Sequence, residues 1–130
     1  MHSDELKFRE LIEVVKALRG INGCPWDKKQ TIISLKKYLH EEFNELLMAI
    51  DNNDPENLCE EAGDLLFLIV MISQISSESK LFGISDVLSS ICEKLVRRHP
   101  HVFAGTEVAN EEDLRRQWEM IKKQEKSKKN

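Results

Sequence analysis

The feature that most restricts the fold is a short polar turn, residues 51–55, that separates two long segments with helical periodicity. Asp54 suits the capping position of a helix N-terminus and Pro55 suits the first helical position, so a new helix is predicted to begin there. We expect one helix over residues 31–51 and the next over residues 55–79. Because the connection is so short, the two helices are predicted to be antiparallel neighbours.

Both helices carry carboxylates three residues apart. These residues are Glu42 and Glu45 in the first helix, preceded by Glu41, and Glu61 and Asp64 in the second, preceded by Glu60. Side chains at this spacing share one helix face, so packing of the helices would bring the carboxylates together. Negative charges that close need cations between them, and carboxylate oxygens bind Mg²⁺ or Mn²⁺ in preference to soft metals. The pattern therefore predicts a site for hard divalent metal ions.

A solvated face is the common role of glutamates at helical spacing. Here, however, the stripe that begins with Glu61 and Asp64 continues along the same helix as Leu68, Met71 and Ile75. The carboxylates then lie at the edge of the core, where acidic groups that are partly withdrawn from water need partners. The helix is also apolar nearly all round beyond Gly63, which implies burial on several sides. We infer from this that a second subunit completes the core in a homo-oligomer.

Apolar residues recur at helical spacing in the rest of the chain as well, which predicts an all-α fold. An amphipathic helix is expected over residues 4–19. A further helix should run from about Ser85 to a stop at Pro100, and Asn110 can cap a last helix, with a frayed tail over about residues 123–130. The apolar stripe of the helix over residues 31–51 is predicted to be core and consists of Leu35, Leu39, Phe43, Leu46 and Ile50.

The composition is that of a helical globular protein, and a length of 130 residues suits a single domain, residues 1–130. The net charge of −4 gives no support to a nucleic-acid or anionic-membrane binder. The longest apolar run, residues 65–72, is far too short to span a bilayer. The cysteines are widely spaced without a Cys-x-x-Cys pair and the N-terminus is charged, so we expect a cytoplasmic protein without a signal peptide.

Two other groups of residues each have a structural and a functional interpretation. The loop over residues 20–27 holds Trp26, whose ring either anchors the loop to the core or stacks on a ligand. Lys94 and Arg98 lie one turn apart before Pro100, where they either stabilise the C-terminus of a helix or bind phosphate. The residue pattern alone leaves both alternatives open.

Several segments together resemble the signature of the MazG family of nucleoside triphosphate pyrophosphohydrolases. They are Glu-Glu-x-x-Glu at 41–45, Glu-x-x-Asp at 61–64, Gly-Cys-Pro-Trp-Asp at 23–27, Gln-Thr at 30–31 with Ser-Leu at 34–35, Arg-Arg-His-Pro-His-Val-Phe at 97–103, and Trp118 with Lys122. The resemblance covers nearly the whole chain, from about Leu11 to Glu125. The combination of the acidic pattern with the segments at 23–27 and 97–103 makes it specific.

The resemblance implies a helical bundle of the all-α NTP pyrophosphatase type, assembled as a dimer or tetramer. It also implies Mg²⁺-dependent hydrolysis of a nucleoside triphosphate to the monophosphate and pyrophosphate. By resemblance, the metal ligands would be Glu42, Glu45, Glu61 and Asp64, while Glu41 or Glu60 would support these ligands, add to them or orient the attacking water. Phosphates would be bound by Lys94, Arg98 and Lys122, and the base by Trp118 or Trp26.

Two departures and two alternatives accompany this resemblance. The chain looks like one such domain where well-known relatives carry two, and Leu68 and Ile72 stand where relatives often have Gln and His, which affects any substrate preference set by those groups.

One alternative is a sister enzyme of the same fold, acting on dCTP and dUTP or on phosphoribosyl-ATP; the segment at 97–101 favours MazG. The other alternative is a non-enzymatic helical module that uses the acidic stripe as a binding surface.

Overall fold

The computed structural model describes residues 3–129, and within that range the secondary structure is helical with no strand. The predicted all-α fold is therefore confirmed. The helices are α1 (Asp4–Arg19), α2 (Pro25–Lys29), α3 (Lys36–Asp51), α4 (Pro55–Glu78), α5 (Ile84–Arg98), α6 (Pro100–Phe103) and α7 (Glu111–Lys128), with a 3₁₀ turn at Ile33–Leu35. The chain divides into two compact units, the first ending at Ile84 and the second beginning at Ser85.

The hairpin of α3 and α4 is the centre of the first unit. Asp54 accepts a hydrogen bond from the backbone N–H of Asn57 at 3.1 Å, and Pro55 is the first residue of α4, as the sequence predicted. Asn53 turns the chain in the left-handed conformation, with φ of 50°. The two helices pack along each other, so the hairpin predicted from the short turn is present.

The core of the first unit forms where α1 and the start of α3 meet the middle of α4. Its buried apolar side chains are Ile12, Val15, Leu35, Leu68, Val70 and Met71. Helix α1 is well capped, because the Ser3 hydroxyl accepts from the N–H of Leu6 at 3.2 Å and acidic residues occupy the first turn. The amphipathic helix predicted over residues 4–19 is confirmed.

The core stripe predicted for α3 is only partly correct. Leu35 is fully buried, but Phe43 is 52% exposed and Ile50 is 55% exposed in this chain, whereas Ala49 is buried. Periodicity identified the apolar residues of α3 without distinguishing the side that faces α4 from the side that faces outward. Helix α3 also begins later than predicted, because the 3₁₀ turn at Ile33–Leu35 precedes it. The Thr31 hydroxyl accepts a hydrogen bond from the Ser34 N–H of this turn at 3.1 Å.

The segment predicted as a loop over residues 20–27 ends in the short helix α2. Its Trp26 ring packs edge-on against Tyr38, with ring centroids 5.1 Å apart, and lies against the core. The chain reaches α2 by folding back on the end of α1, where the Cys24 N–H donates to the Leu18 carbonyl at 2.8 Å. A Cβ atom at Gly23 would be 2.1 Å from the Leu18 oxygen, so this close approach requires glycine.

Arg19 joins three parts of the first unit. Its Nη1 donates to the carbonyl oxygens of Asp27 at 2.6 Å and Gln30 at 3.1 Å, while Nε and Nη2 donate to the Glu78 carboxylate at 2.8 and 2.7 Å. The guanidinium therefore ties the end of α1 to α2 and to the last turn of α4. These contacts raise the pKa of Arg19 and lower the pKa of Glu78, chiefly through their shared hydrogen bonds.

The second unit consists of most of α5 together with α6 and α7. Pro100 ends α5, as predicted, and also starts the four-residue helix α6. Asn110 caps α7 by accepting from the Asp113 N–H at 2.9 Å. The sequence predicted a frayed tail from about residue 123, whereas α7 remains helical to Lys128.

Candidate metal centre and a cation–tryptophan cluster

Four carboxylates meet in the first unit, two from α3 and two from α4. They are Glu42, Glu45, Glu61 and Asp64, and each offers an oxygen that lies within 4.8 Å of those of the other three. We call this group the acidic cluster. The structure thus brings together the four residues that the matched spacing had predicted, because the short turn holds α3 against α4 and the acidic residues of the two helices lie side by side.

The acidic cluster has a buried side and an open side. Glu61 is only 9% exposed and Glu42 is half-buried, whereas Glu45 and Asp64 are exposed. One oxygen of Glu42 (Oε2) and one of Glu61 (Oε2) are buried without a hydrogen-bond partner among the described residues. A buried polar atom left unpaired costs about 1–3 kcal/mol, and more when it is charged. Two such oxygens in one group of four carboxylates fit a bound cation, and carboxylates fit a hard one.

The pKa values of Glu42 and Glu61 are both raised in the folded chain. Burial raises the pKa of Glu42 to about 7, and the hydrogen bond that its protonated form can donate to Glu61 and the charges of Glu45 and Asp64 act in the same direction. The pKa of Glu61 is raised as well, first by burial and then by Glu45, although Glu42 opposes the rise. Without a cation, a proton is the group that can satisfy these oxygens, so a metal ion and a proton compete for them.

Glu41 and Glu60 do not belong to the acidic cluster. Each lies one residue before a member of it, and a step of one residue turns a side chain about 100° round a helix. Both side chains are exposed.

Basic and aromatic side chains meet in the second unit. The Trp118 ring has the Lys122 ammonium 4.8 Å and the Arg98 guanidinium 5.9 Å from its centroid, within the range of cation–π attraction. We call Arg98, Trp118 and Lys122 the cation–tryptophan cluster. Lys94 is exposed on α5 and takes no part in these ring contacts. Arg98 and Trp118 also line a cleft of about 500 Å³, a volume in the range of small-molecule sites.

Glu125 was not among the predicted site residues, yet it contacts the cation–tryptophan cluster. Its carboxylate accepts from Arg97 Nε at 2.6 Å and from Arg98 Nη2 at 2.8 Å. The two guanidinium groups lower its pKa to about 2. Trp118, Lys122 and Glu125 are four and then three residues apart, a spacing that puts all three on one face of α7. This spacing is the sequence signal that could have identified Glu125 as a neighbour of the cluster.

The family model of the MazG nucleotide pyrophosphohydrolase domain matches residues 30–103, more than half of the chain. The chain belongs to the MazG family. The resemblance inferred from the sequence motifs is thereby confirmed. The matched residues include all of the acidic cluster and Arg98, while Trp118 and Lys122 lie beyond them.

The relatives of this MazG chain are much longer than the chain itself. It is 49% identical over 121 residues to the uncharacterized protein YabN of Bacillus subtilis (strain 168), covering 93% of this chain and 25% of that protein. It is 47% identical over 122 residues to the nucleoside triphosphate pyrophosphohydrolase/pyrophosphatase MazG of Thermotoga maritima, covering 94% and 46%. The chain thus spans between a quarter and about half of the curated relatives it matches.

A solved structure supports the fold. The crystal structure of a mazG-related protein from Thermotoga maritima superposes with a TM-score of 0.74 and 28% identity, covering 88% of this chain and 98% of that one. Among the described residues, no helix of this MazG chain is long and apolar enough to cross a membrane. Leu68 and Ile72, the two positions predicted from the sequence to depart from relatives, belong to the core region, where Leu68 is 3% exposed.

Proposed function

We propose that this MazG domain hydrolyses nucleoside triphosphates to the nucleoside monophosphate and pyrophosphate, using a divalent ion bound by the acidic cluster. The observation that carries the proposal is the meeting of four carboxylates with two buried oxygens that have no partner in the described chain. Several relatives are named nucleoside triphosphate pyrophosphohydrolases, which supports the proposal. Because the chain covers less than half of those relatives, their activity is assigned to this domain as a proposal.

The residues proposed to hold the ion are Glu42, Glu45, Glu61 and Asp64. Their oxygen donors suit Mg²⁺ first and Mn²⁺ second. Such an ion neutralises phosphate charge and lowers the pKa of a bound water. The exposed pair, Glu45 and Asp64, leaves the cluster open to a phosphate ligand, while the buried pair fixes the position of the charge.

The other predicted residues are proposed to bind and orient the substrate. Glu41, exposed and next to Glu42, is suited to accept a proton or to orient the water that attacks the α-phosphorus. Lys94 and Arg98 are proposed to bind the β and γ phosphates, with Lys122 as a further phosphate contact. Trp118, 40% exposed, can stack on a base, whereas Trp26 packs against Tyr38 as an anchor of α2.

We also propose that the chain acts as a homo-oligomer, a dimer or tetramer. The supporting observation is a set of large apolar side chains on α3 and α4 that are exposed in the single chain: Phe43, Leu47, Met48, Ile50, Leu66 and Ile69. Exposed apolar surface of this kind marks an interaction site more often than a solvated face. Light scattering on the purified chain measures the assembly, and a Phe43→Ser variant should shift it toward the monomer. The cytoplasmic location remains a prediction.

The direct test is pyrophosphate release from a panel of ribo- and deoxynucleoside triphosphates, with Mg²⁺ and with chelator. We expect metal-dependent release of pyrophosphate and the monophosphate. Turnover restricted to dCTP and dUTP or to phosphoribosyl-ATP would favour a sister enzyme of the same fold. Release of single phosphate would contradict attack at the α-phosphorus. If no nucleotide is hydrolysed and Mg²⁺ does not stabilise the protein, the chain is a binding module instead.

A further inference from the structure

Glu125 of α7 is bound by two consecutive arginines at the end of α5. Its Oε2 lies 2.6 Å from Arg97 Nε, and its Oε1 lies 2.8 Å from Arg98 Nη2 and 3.3 Å from Arg98 Nε. The carboxylate is 17% exposed and the Arg98 side chain 20%, whereas Arg97 is 49% exposed. The contact with Arg98 is therefore the more sheltered of the two, and shelter strengthens a charge-assisted hydrogen bond.

The way Glu125 binds Arg98 leaves part of the guanidinium free. A guanidinium is a planar fork with five N–H donors, and Glu125 takes the edge formed by Nε and Nη2. Nη1, at the other end of the fork, makes no hydrogen bond to any of the described residues. The Trp118 ring, 5.9 Å from the guanidinium carbon, limits its movement further. Arg98 is thus held on one edge and against a ring, with its remaining edge available to an anion.

We propose that Glu125 is a positioning residue that fixes the Arg98 guanidinium so that its free edge binds the phosphate groups of the substrate. This inference rests on the phosphate-binding role proposed for Arg98. An arginine held in one orientation loses less side-chain freedom when it binds, so its hydrogen bonds to phosphate contribute more to affinity. Glu125 acts only through the arginines and does not itself touch the substrate.

The opposite role for Glu125 would be competition, in which its carboxylate occupies the arginine that a phosphate needs. The positive charges of Arg97, Arg98 and Lys122 outnumber the negative charges of Glu125 and of Glu119, which lies 3.9 Å from Lys122 Nζ, so the group still attracts an anion. The low pKa of Glu125 also keeps it ionised throughout the neutral range, so protonation does not release the arginines near pH 7. The two roles predict opposite effects when the charge of Glu125 is removed.

The test is Glu125→Gln, compared with Glu112→Gln, which removes the same charge from an exposed position on the same helix. Binding of inorganic tripolyphosphate is measured by calorimetry without metal, and KM and kcat are measured with the best nucleotide. We expect about tenfold weaker tripolyphosphate binding and a similar rise in KM, with a much smaller change in kcat, since a hydrogen bond to a charged group contributes about this much. Glu125→Asp should recover part of the affinity, and Glu112→Gln should behave as the wild type.

A double-mutant cycle with Arg98→Lys separates positioning from a general loss of structure. If Glu125 acts through Arg98, Glu125→Gln should have little further effect on tripolyphosphate binding in the Arg98→Lys background. Tighter or unchanged binding in Glu125→Gln, or additive effects in the cycle, would overturn the inference. Tripolyphosphate binding does not require turnover. If the wild type binds tripolyphosphate but hydrolyses no nucleotide, the proposed reaction is refuted, and the same double-mutant cycle still tests the role of Glu125. A wild type that does not bind tripolyphosphate refutes the role of Glu125.

Discussion

Glu42 of α3 and Glu61 of α4 face each other with one buried carboxylate oxygen apiece that accepts no hydrogen bond from the described residues. The pair is destabilising by itself, since burial and the nearby charges of Glu45 and Asp64 disfavour the charged forms of both groups. Stable proteins retain such an arrangement where a ligand compensates for it. The acidic cluster is therefore expected to lower the stability of the metal-free protein and to provide affinity for a cation.

The first prediction concerns Glu61→Gln. Removing this charge from the buried side of the acidic cluster should reduce Mg²⁺-dependent pyrophosphate release by more than about 100-fold, because metal-assisted stabilisation contributes several kcal/mol to such reactions. Mg²⁺ should raise the melting temperature of the wild type and have little effect on that of the variant. Melting curves with Mg²⁺ and with chelator measure this independently of activity.

Glu56→Gln is the matched control for that variant, since it removes a carboxylate from an exposed position in the first turn of the same helix. It should retain both turnover and the Mg²⁺-induced rise in melting temperature. If Glu61→Gln kept the wild-type response to Mg²⁺, the acidic cluster would not be the metal site.

The second prediction is a pH dependence of the metal-free protein. The pKa of Glu42 is about 7 in the folded chain against an ordinary 4.5, so the folded state binds this proton more tightly than the unfolded state. Between about pH 4.5 and 7 the native state then holds more protons, and the contribution of Glu42 to stability falls as pH rises. Glu61 should act in the same direction.

The Glu42→Gln variant isolates this contribution from other titrating groups. In chelator, the melting temperature of the variant relative to that of the wild type should rise as the pH rises from 5 to 8, because residue 42 of the variant carries no charge in the acidic cluster. In saturating Mg²⁺ at pH 8 the order should reverse, since only the wild type binds the ion. A melting-temperature difference that does not change with pH would contradict the raised pKa of Glu42.

The local part of this arrangement could be predicted from the sequence. The spacing of Glu42 and Glu45, the spacing of Glu61 and Asp64 and the short turn between them are all encoded within a few residues, so helix geometry and turn chemistry were enough to bring the four carboxylates together.

Contacts between residues far apart in the chain could not be predicted in this way. Arg19 and Glu78 are 59 positions apart, and Arg98 and Glu125 are 27 positions apart, so no periodicity links them. The outward side of α3 was misassigned for a related reason. The apolar character of Phe43 shows that it favours burial, but only the arrangement of neighbouring helices decides what covers it.

The third prediction concerns Arg19→Ala. The substitution removes the Arg19 donor from the carbonyl oxygens of Gln30 and Asp27, of which Asp27 keeps only the Gln30 N–H at 3.4 Å, and breaks a bidentate ion pair with Glu78. We expect a loss of roughly 3 kcal/mol in the free energy of unfolding, because the Arg19 side chain is only 9% exposed and its hydrogen bonds are charge-assisted. Urea denaturation measures the loss.

The control for Arg19 is another arginine of α1. Arg9 makes an ion pair with Glu13 at 3.8 Å, but its side chain is 65% exposed. Arg9→Ala should change the free energy of unfolding by less than about 0.5 kcal/mol, as exposed pairs generally do. Equal losses in the two variants would mean that burial of the Arg19 network contributes nothing.

The fourth prediction contrasts two glycine-to-alanine substitutions with opposite expected signs. At Gly23 a Cβ atom would lie 2.1 Å from the Leu18 carbonyl oxygen, and that atom is backbone that cannot rotate away. The turn between α1 and α2 must then open, which should lower the free energy of unfolding by about 2 kcal/mol or more. At Gly63, inside α4, a Cβ atom would meet nothing within 4 Å, so alanine should stabilise the helix by about 0.5–1 kcal/mol. Urea denaturation of both variants measures the difference. A Gly23→Ala protein as stable as the wild type would show that the close approach of the turn to Leu18 does not constrain residue 23.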